Sequence, residues 1–151
     1  MSVPHRVSMT AFLATLSLQL FACAGIVRFP EIPRGYDGRP EAASAYGRGD
    51  YTTALRIARP PAEQGNAAAQ YDLAVLYERG RGVPRDYAEA ASWYRKAAEQ
   101  GFFPAQTNLG SMYEEGRGVA ADINEAVAWY RKAAAQGDDA AQRALRRLNL
   151  R

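Results

Sequence analysis

An all-α chain is what this sequence predicts: an α/α solenoid of about three helix pairs closed by a C-terminal capping helix and preceded by a signal segment. Three observations predict it. Residues 66–101 are written out again as 102–137, and the two copies agree at 20 of 36 positions. Each copy holds two apolar runs at helical spacing, parted by a Gly-x-Gly loop. Each copy also ends in Gln-Gly, the glycine standing where a left-handed helix cap is wanted. A period in this range marks a stacked repeat, in which one unit is too small to bury its own apolar face.

The chain begins differently. No charge falls between Arg6 and Arg28, and Met9–Phe21 is apolar apart from Thr, Ser and Gln19. A positive start, a short apolar core and Ala22-Cys23-Ala24 read as a signal peptide over residues 1–24, cleaved after Ala24. Two rivals stay open. Leu20-Phe21-Ala22-Cys23 resembles a bacterial lipobox, which would end the signal at Ala22 and make Cys23 the lipidated residue. The 21 uncharged residues from Val7 to Val27 would also suffice as an uncleaved span. All three imply export, to the periplasm or to a membrane tether facing it, with free secretion ranked behind. Cys23 is the sole cysteine, so the chain can form no internal disulfide. Residues 25–40, with Pro30, Pro33, Gly35, Gly38 and Pro40, read as a flexible linker.

Residues 41–65 read as a degenerate first unit. Asp50 lines up with the later helix starts, and Ala62-Glu63-Gln64-Gly65 with Ala98–Gly101. Pro60-Pro61 replace a lysine and an alanine, which predicts a broken or kinked last turn.

In the unit 66–101, Ala69, Leu73, Leu76 and Tyr77 mark the first helix; Ala105, Leu109, Met112 and Tyr113 mark its twin in 102–137. Second helices start at Asp86 and Asp122, each followed three residues later by Glu89 and Glu125, the spacing of a reciprocal capping box. Ala90, Trp93, Tyr94, Ala97 and Ala98 form a wide apolar face. The Trp-Tyr pair recurs in phase with the period, which makes it core and not a cofactor box. Residues 138–151 match a fourth first helix that then stops. Arg143, Arg146, Arg147 and Arg151 coat it as a solubilising cap.

These residues carry a resemblance. Ala-Gln-x-x-Leu-x-x-x-Tyr-x-x-Gly-x-Gly-Val followed by Asp-x-x-x-Ala-x-x-Trp-Tyr-x-Lys-Ala-Ala-x-Gln-Gly resembles the Sel-one-like repeat, a relative of the tetratricopeptide repeats, over roughly residues 40–150. The resemblance implies an α/α solenoid that mediates protein–protein contacts and implies no reaction. Cysteine-rich members linked to β-lactam binding or hydrolysis carry a cysteine pair in each repeat, and this chain has no such pair.

Catalytic chemistry is mostly excluded by composition. The sole histidine, His5, lies in the signal segment, which removes histidine bases, nucleophile pairs and zinc ligands from the repeat domain. No Ser-x-x-Lys or phosphate loop occurs. Gly116–Ala121 satisfies a loose dinucleotide pattern but reads as the repeat loop. No cofactor or metal is expected. A net charge of +3 over 151 residues, with export, argues against nucleic acid. About 125 residues after cleavage is one domain's length.

What remains is a binding surface. First helices of such pairs line the concave side. Subtracting the repeated positions leaves Asp72, Val75 and Arg79 in one copy and Asn108, Ser111 and Glu115 in the next, each trio on one helix face. The expectation is a non-catalytic adaptor or scaffold binding a protein or peptide. The alternatives are an envelope hydrolase or peptidoglycan-associated protein, and a regulatory subunit of a membrane complex.

Overall fold

The computed structural model describes residues 40–149. The readings of the signal segment, of Cys23 and of Arg151 lie outside them. So does the linker apart from Pro40, which already belongs to the first helix. Among the described residues the chain forms α1 (Pro40–Gly47), α2 (Tyr51–Glu63), α3 (Ala67–Arg79), α4 (Tyr87–Glu99), α5 (Phe103–Glu115), α6 (Ile123–Ala135) and α7 (Asp139–Asn149). Each helix packs chiefly on its neighbours in sequence, α1 on α2, α2 on α3 and so on to α7, as a solenoid requires. The fold is the predicted α/α solenoid: three helix pairs and a closing helix. None of these helices is long and apolar enough to cross a membrane.

The starts and ends of the helices follow from single side chains. Asp50, Asn66, Asp86 and Asp122 accept backbone N–H groups of the first turns of α2, α3, α4 and α6. Phe102 stands at the place of Asn66 and makes no side-chain cap; it packs on Tyr71 with ring centroids 5.4 Å apart, and Pro104 occupies the first turn instead. Gly101 at φ +89° ends α4, with the Phe102 N–H reaching back to the Ala97 carbonyl.

The core is a column of alanines filled out by larger side chains. Leu73, Leu76, Tyr94, Leu109 and Met112 are fully buried, and Ala90, Ala97, Ala105, Ala126 and Ala133 let the helices close on them. Two buried amides tie one repeat to the next. Gln106 Nε2 donates to the Ala98 carbonyl at 3.0 Å while its Oε1 accepts from Gln136 at 2.9 Å. Gln70 does the same with Ala62 and Gln100 at 3.1 and 2.8 Å. Each glutamine thereby uses both ends of its amide and adds a second bond to a carbonyl in the last turn of the preceding helix.

Two expectations are corrected. The prolines do not break α2, which runs through Pro60 and Pro61 to Glu63. Pro61 is buried, and the N–H groups of Gln64, Gly65 and Asn66 close back on the carbonyls of Pro60, Ala62 and Pro61. The capping box is only half made. Asp86 accepts from Ala88 and Glu89, but its own N–H donates to the Tyr77 carbonyl at 3.0 Å, and Glu89 turns instead to accept from Trp93 Nε1 at 3.2 Å. The Asp122 N–H is likewise taken by the Tyr113 carbonyl at 2.9 Å, leaving Glu125 no reciprocal role. The inter-helix loop folds back onto the first helix and satisfies the amide that a capping box would serve.

Candidate functional site

The first helices α3 and α5 carry the six residues singled out from sequence. Arg79 is exposed and donates Nη1 to the Tyr46 hydroxyl at 2.8 Å. Val75 is half-buried against the central core, and half-buried Asp72 places its charge beside the Tyr71 phenol. Asn108 acts on the Tyr71 and Tyr94 phenols, opposing the rise in pKa that burial gives them. Ser111 Oγ donates to Glu115 Oε1 at 2.8 Å and accepts from Arg117 Nη2 at 3.3 Å. Ser111 and Glu115 thus come together with Arg117, whereas Val75 serves the core.

The polar structure of this face is a ladder the subtraction had removed. Tyr94, on the second helix of its pair, donates its hydroxyl to Glu78 of the first helix at 2.7 Å. Arg117, from the loop of the next repeat, donates Nη1 to the other oxygen of Glu78 at 2.7 Å. Its Nε lies 2.8 Å from Glu115 Oε2, a charge contact without hydrogen-bond alignment. One period on, Tyr130 donates to Glu114 at 2.9 Å, and Arg147 of α7 supplies the guanidinium at 2.7 Å. Each rung is Tyr–Glu–Arg, and each arginine comes from the following element. Glu78, Glu114, Arg81 and Arg117 are identical between the copies, which is why a search for differing residues passed over them. A polar residue repeated in phase was the signal available.

Burial raises the phenol pKa of Tyr94 well above its ordinary value of 10, with the Glu78 charge acting in the same direction. Burial and then Glu114 push Tyr130 up, and burial and then Asp72 push Tyr71 up. The folded chain therefore holds these protons more tightly than the unfolded chain does. Their contribution is complete below pH 10 and is lost progressively above it. In an alkaline titration followed by phenolate absorbance, these three tyrosines are expected to ionise only with unfolding. A single transition for all tyrosines near pH 10 would contradict this.

The first rung differs. Arg81, the counterpart of Arg117, donates Nη1 to the Tyr46 hydroxyl at 2.7 Å and lies over the rings of Tyr46 and Tyr51 at 5.2 and 4.8 Å. No group of His, Cys, Asp and Glu among the described residues is arranged to hold a metal ion.

The Sel1 repeat model matches residues 67–102 and 104–138. A Sel1 repeat protein from Oxalobacter formigenes, solved by crystallography, superposes with a TM-score of 0.68 at 41% identity, over 72% of this chain and 44% of that one. A protective antigen present in uropathogenic Escherichia coli strains, displaying an SLR fold, gives 0.64 at 47% identity over 67% and 23%. Cysteine-rich protein B of Helicobacter pylori gives 0.59 at 26% identity over 61% and 69%. The chain thus spans less than half of the first two structures. No curated protein matches it. The two in-register helix pairs over residues 67–138 are Sel1 repeats, and they share their fold with solved Sel1 and SLR repeat proteins.

Proposed function

We propose that this chain is an exported adaptor or scaffold that binds another protein through the face formed by α3, α5 and their loops, without chemistry of its own. Sel1 repeats generally mediate protein–protein contacts. The observation that carries the reading is how the two copies divide. The glutamine ties of Gln70 and Gln106 and the Tyr94–Glu78 and Tyr130–Glu114 bonds are the same in both, while Asp72, Val75 and Arg79 become Asn108, Ser111 and Glu115 on the same face. Positions that hold the stack together repeat; positions turned to a specific partner need not. The uncharged N-terminal run with Cys23 supports export, either with cleavage or with a lipid tether.

The test is photo-crosslinking in cells with the reactive group at Glu115, which is exposed, and a control at Ser92, exposed on α4. A discrete protein captured from 115 and not from 92 is the expected result; equal background from both would overturn the face. The mass of the purified chain reads export in the same preparation. Loss of residues 1–24, or an acylated Cys23 at a new N-terminus, is expected. An unprocessed chain in the cytoplasmic fraction would refute the export reading.

A further inference from the structure

The two repeats treat their loop arginines in opposite ways. Arg117 is neutralised by two carboxylates, Glu78 at 2.7 Å and Glu115 at 2.8 Å. One period earlier, at Arg81, both are gone. The turn that closes α1, from the Asp50 N–H to the Ala45 carbonyl, matches the one that closes α3, from the Arg81 N–H to the Leu76 carbonyl, which puts Gly47, without a side chain, at the place of Glu78; the position of Glu115 is taken by Arg79, a reversal of charge. Among the described residues no carboxylate lies within ion-pair distance of Arg79 or Arg81. Glu78 adjoins Arg79 in sequence, but its oxygens are already engaged by Tyr94 and Arg117.

Both guanidiniums instead donate to one atom. The Tyr46 hydroxyl accepts Arg79 Nη1 at 2.8 Å and Arg81 Nη1 at 2.7 Å. Two like charges gathered on a neutral phenol repel each other, and that arrangement is relieved when an anion joins them. Arg81 is held in place by its stacking on Tyr46 and Tyr51, so little side-chain freedom remains to be lost on binding. Arg79 is exposed and Arg81 half-buried, which leaves the pair open on one side.

We infer that Arg79, Arg81 and Tyr46 form a binding site for a carboxylate-bearing segment of a protein partner, a glutamate or aspartate that takes the place Glu78 and Glu115 fill beside Arg117. The choice of carboxylate comes from the chain itself, since the corresponding arginine of the next repeat is satisfied by two of them. This inference rests on the adaptor reading and names the chemistry its partner presents at one end of the face.

The experiment is fluorescence polarisation with the full chain and a labelled peptide carrying three consecutive glutamates. Its glutamine analogue and a phosphoserine analogue serve as the other probes. The glutamate peptide is expected to bind, more weakly as salt rises, and the glutamine peptide to fail. Arg79→Glu supplies the internal carboxylate that Glu115 gives Arg117, and is expected to weaken binding about tenfold or more, while Arg143→Gln, at an exposed position of α7, changes it by less than about twofold. Arg79→Gln removes the charge without adding one and keeps the test available if Arg79→Glu perturbs folding. Equal binding of the glutamine peptide, binding of the phosphoserine peptide alone, unchanged affinity in the Arg79 variants, or no binding at all would each overturn the inference. A partner captured from position 115 that is indifferent to Arg79→Glu would overturn this site and leave the adaptor reading standing.

Discussion

Gly118→Ala is expected to cost about 3 kcal/mol or more of stability, at the upper end of what single substitutions do. Two separate terms add. Gly118 sits at φ +69°, where an L side chain costs about 1–2 kcal/mol. A Cβ there would also stand 2.1 Å from the Tyr87 carbonyl oxygen and 2.2 Å from its carbon, both backbone atoms at the start of α4. A rotamer change cannot relieve that overlap, so the loop must lift away from the preceding repeat and take Arg117 with it. Gly82 makes the equivalent approach to Tyr51 at 2.8 Å, a looser contact. Gly101 has φ +89° and nothing within 4 Å of a built Cβ, so Gly101→Ala should show the backbone term alone, about 1 kcal/mol. Urea denaturation of the three alanine variants is expected to rank the losses Gly118, Gly82, Gly101. Gly118→Ala unfolding no earlier than Gly101→Ala would mean that the loop is not pinned against α4.

That contact shows where sequence reasoning stops. The Gly-x-Gly pattern announces positive φ, because only the local chain is involved, and the helix starts at Asp86 and Asp122 announce themselves in the same way. The close approach of Gly118 to Tyr87 depends on how two repeats stack, and no local pattern encodes a distance between them. Pro60 and Pro61 illustrate the reverse. Their missing N–H groups argue against helix, yet burial of Pro61 and the closing bonds from Gln64 to Asn66 hold the turn. The same limit governs the candidate face. Comparing copies finds residues that differ, such as Arg79 and Glu115, but the meaning of that reversal appears only once Arg81 and Arg117 are seen beside them. Glu78 and Glu114 repeat in phase, and repetition marks a polar tie as readily as a core contact.

Glu78→Ala is expected to lower stability by about 2–4 kcal/mol, against about 1 kcal/mol for Glu114→Ala one period later. The two glutamates hold corresponding places, so the difference lies in what each leaves behind. Removing Glu78 strands the hydroxyl of Tyr94, a fully buried residue, and leaves Arg117, whose side chain is only 31% exposed, with Glu115 as its one remaining carboxylate. Removing Glu114 strands Tyr130 as well, but Arg147 is 60% exposed and water takes over its hydrogen bond. Combining Glu78→Ala with Tyr94→Phe isolates the coupling. Once the phenol proton is gone, the loss of Glu78 should cost about 1 kcal/mol less than in the parent chain. Strict additivity would show that Tyr94 and Glu78 do not depend on each other. The consequence reaches past one hydrogen bond, because Glu78 is the group through which the loop of one repeat holds the first helix of the previous one. If that tie contributes as expected, Glu78→Ala should also broaden the unfolding transition, the C-terminal repeat melting ahead of the first, while Glu114→Ala leaves the transition sharp.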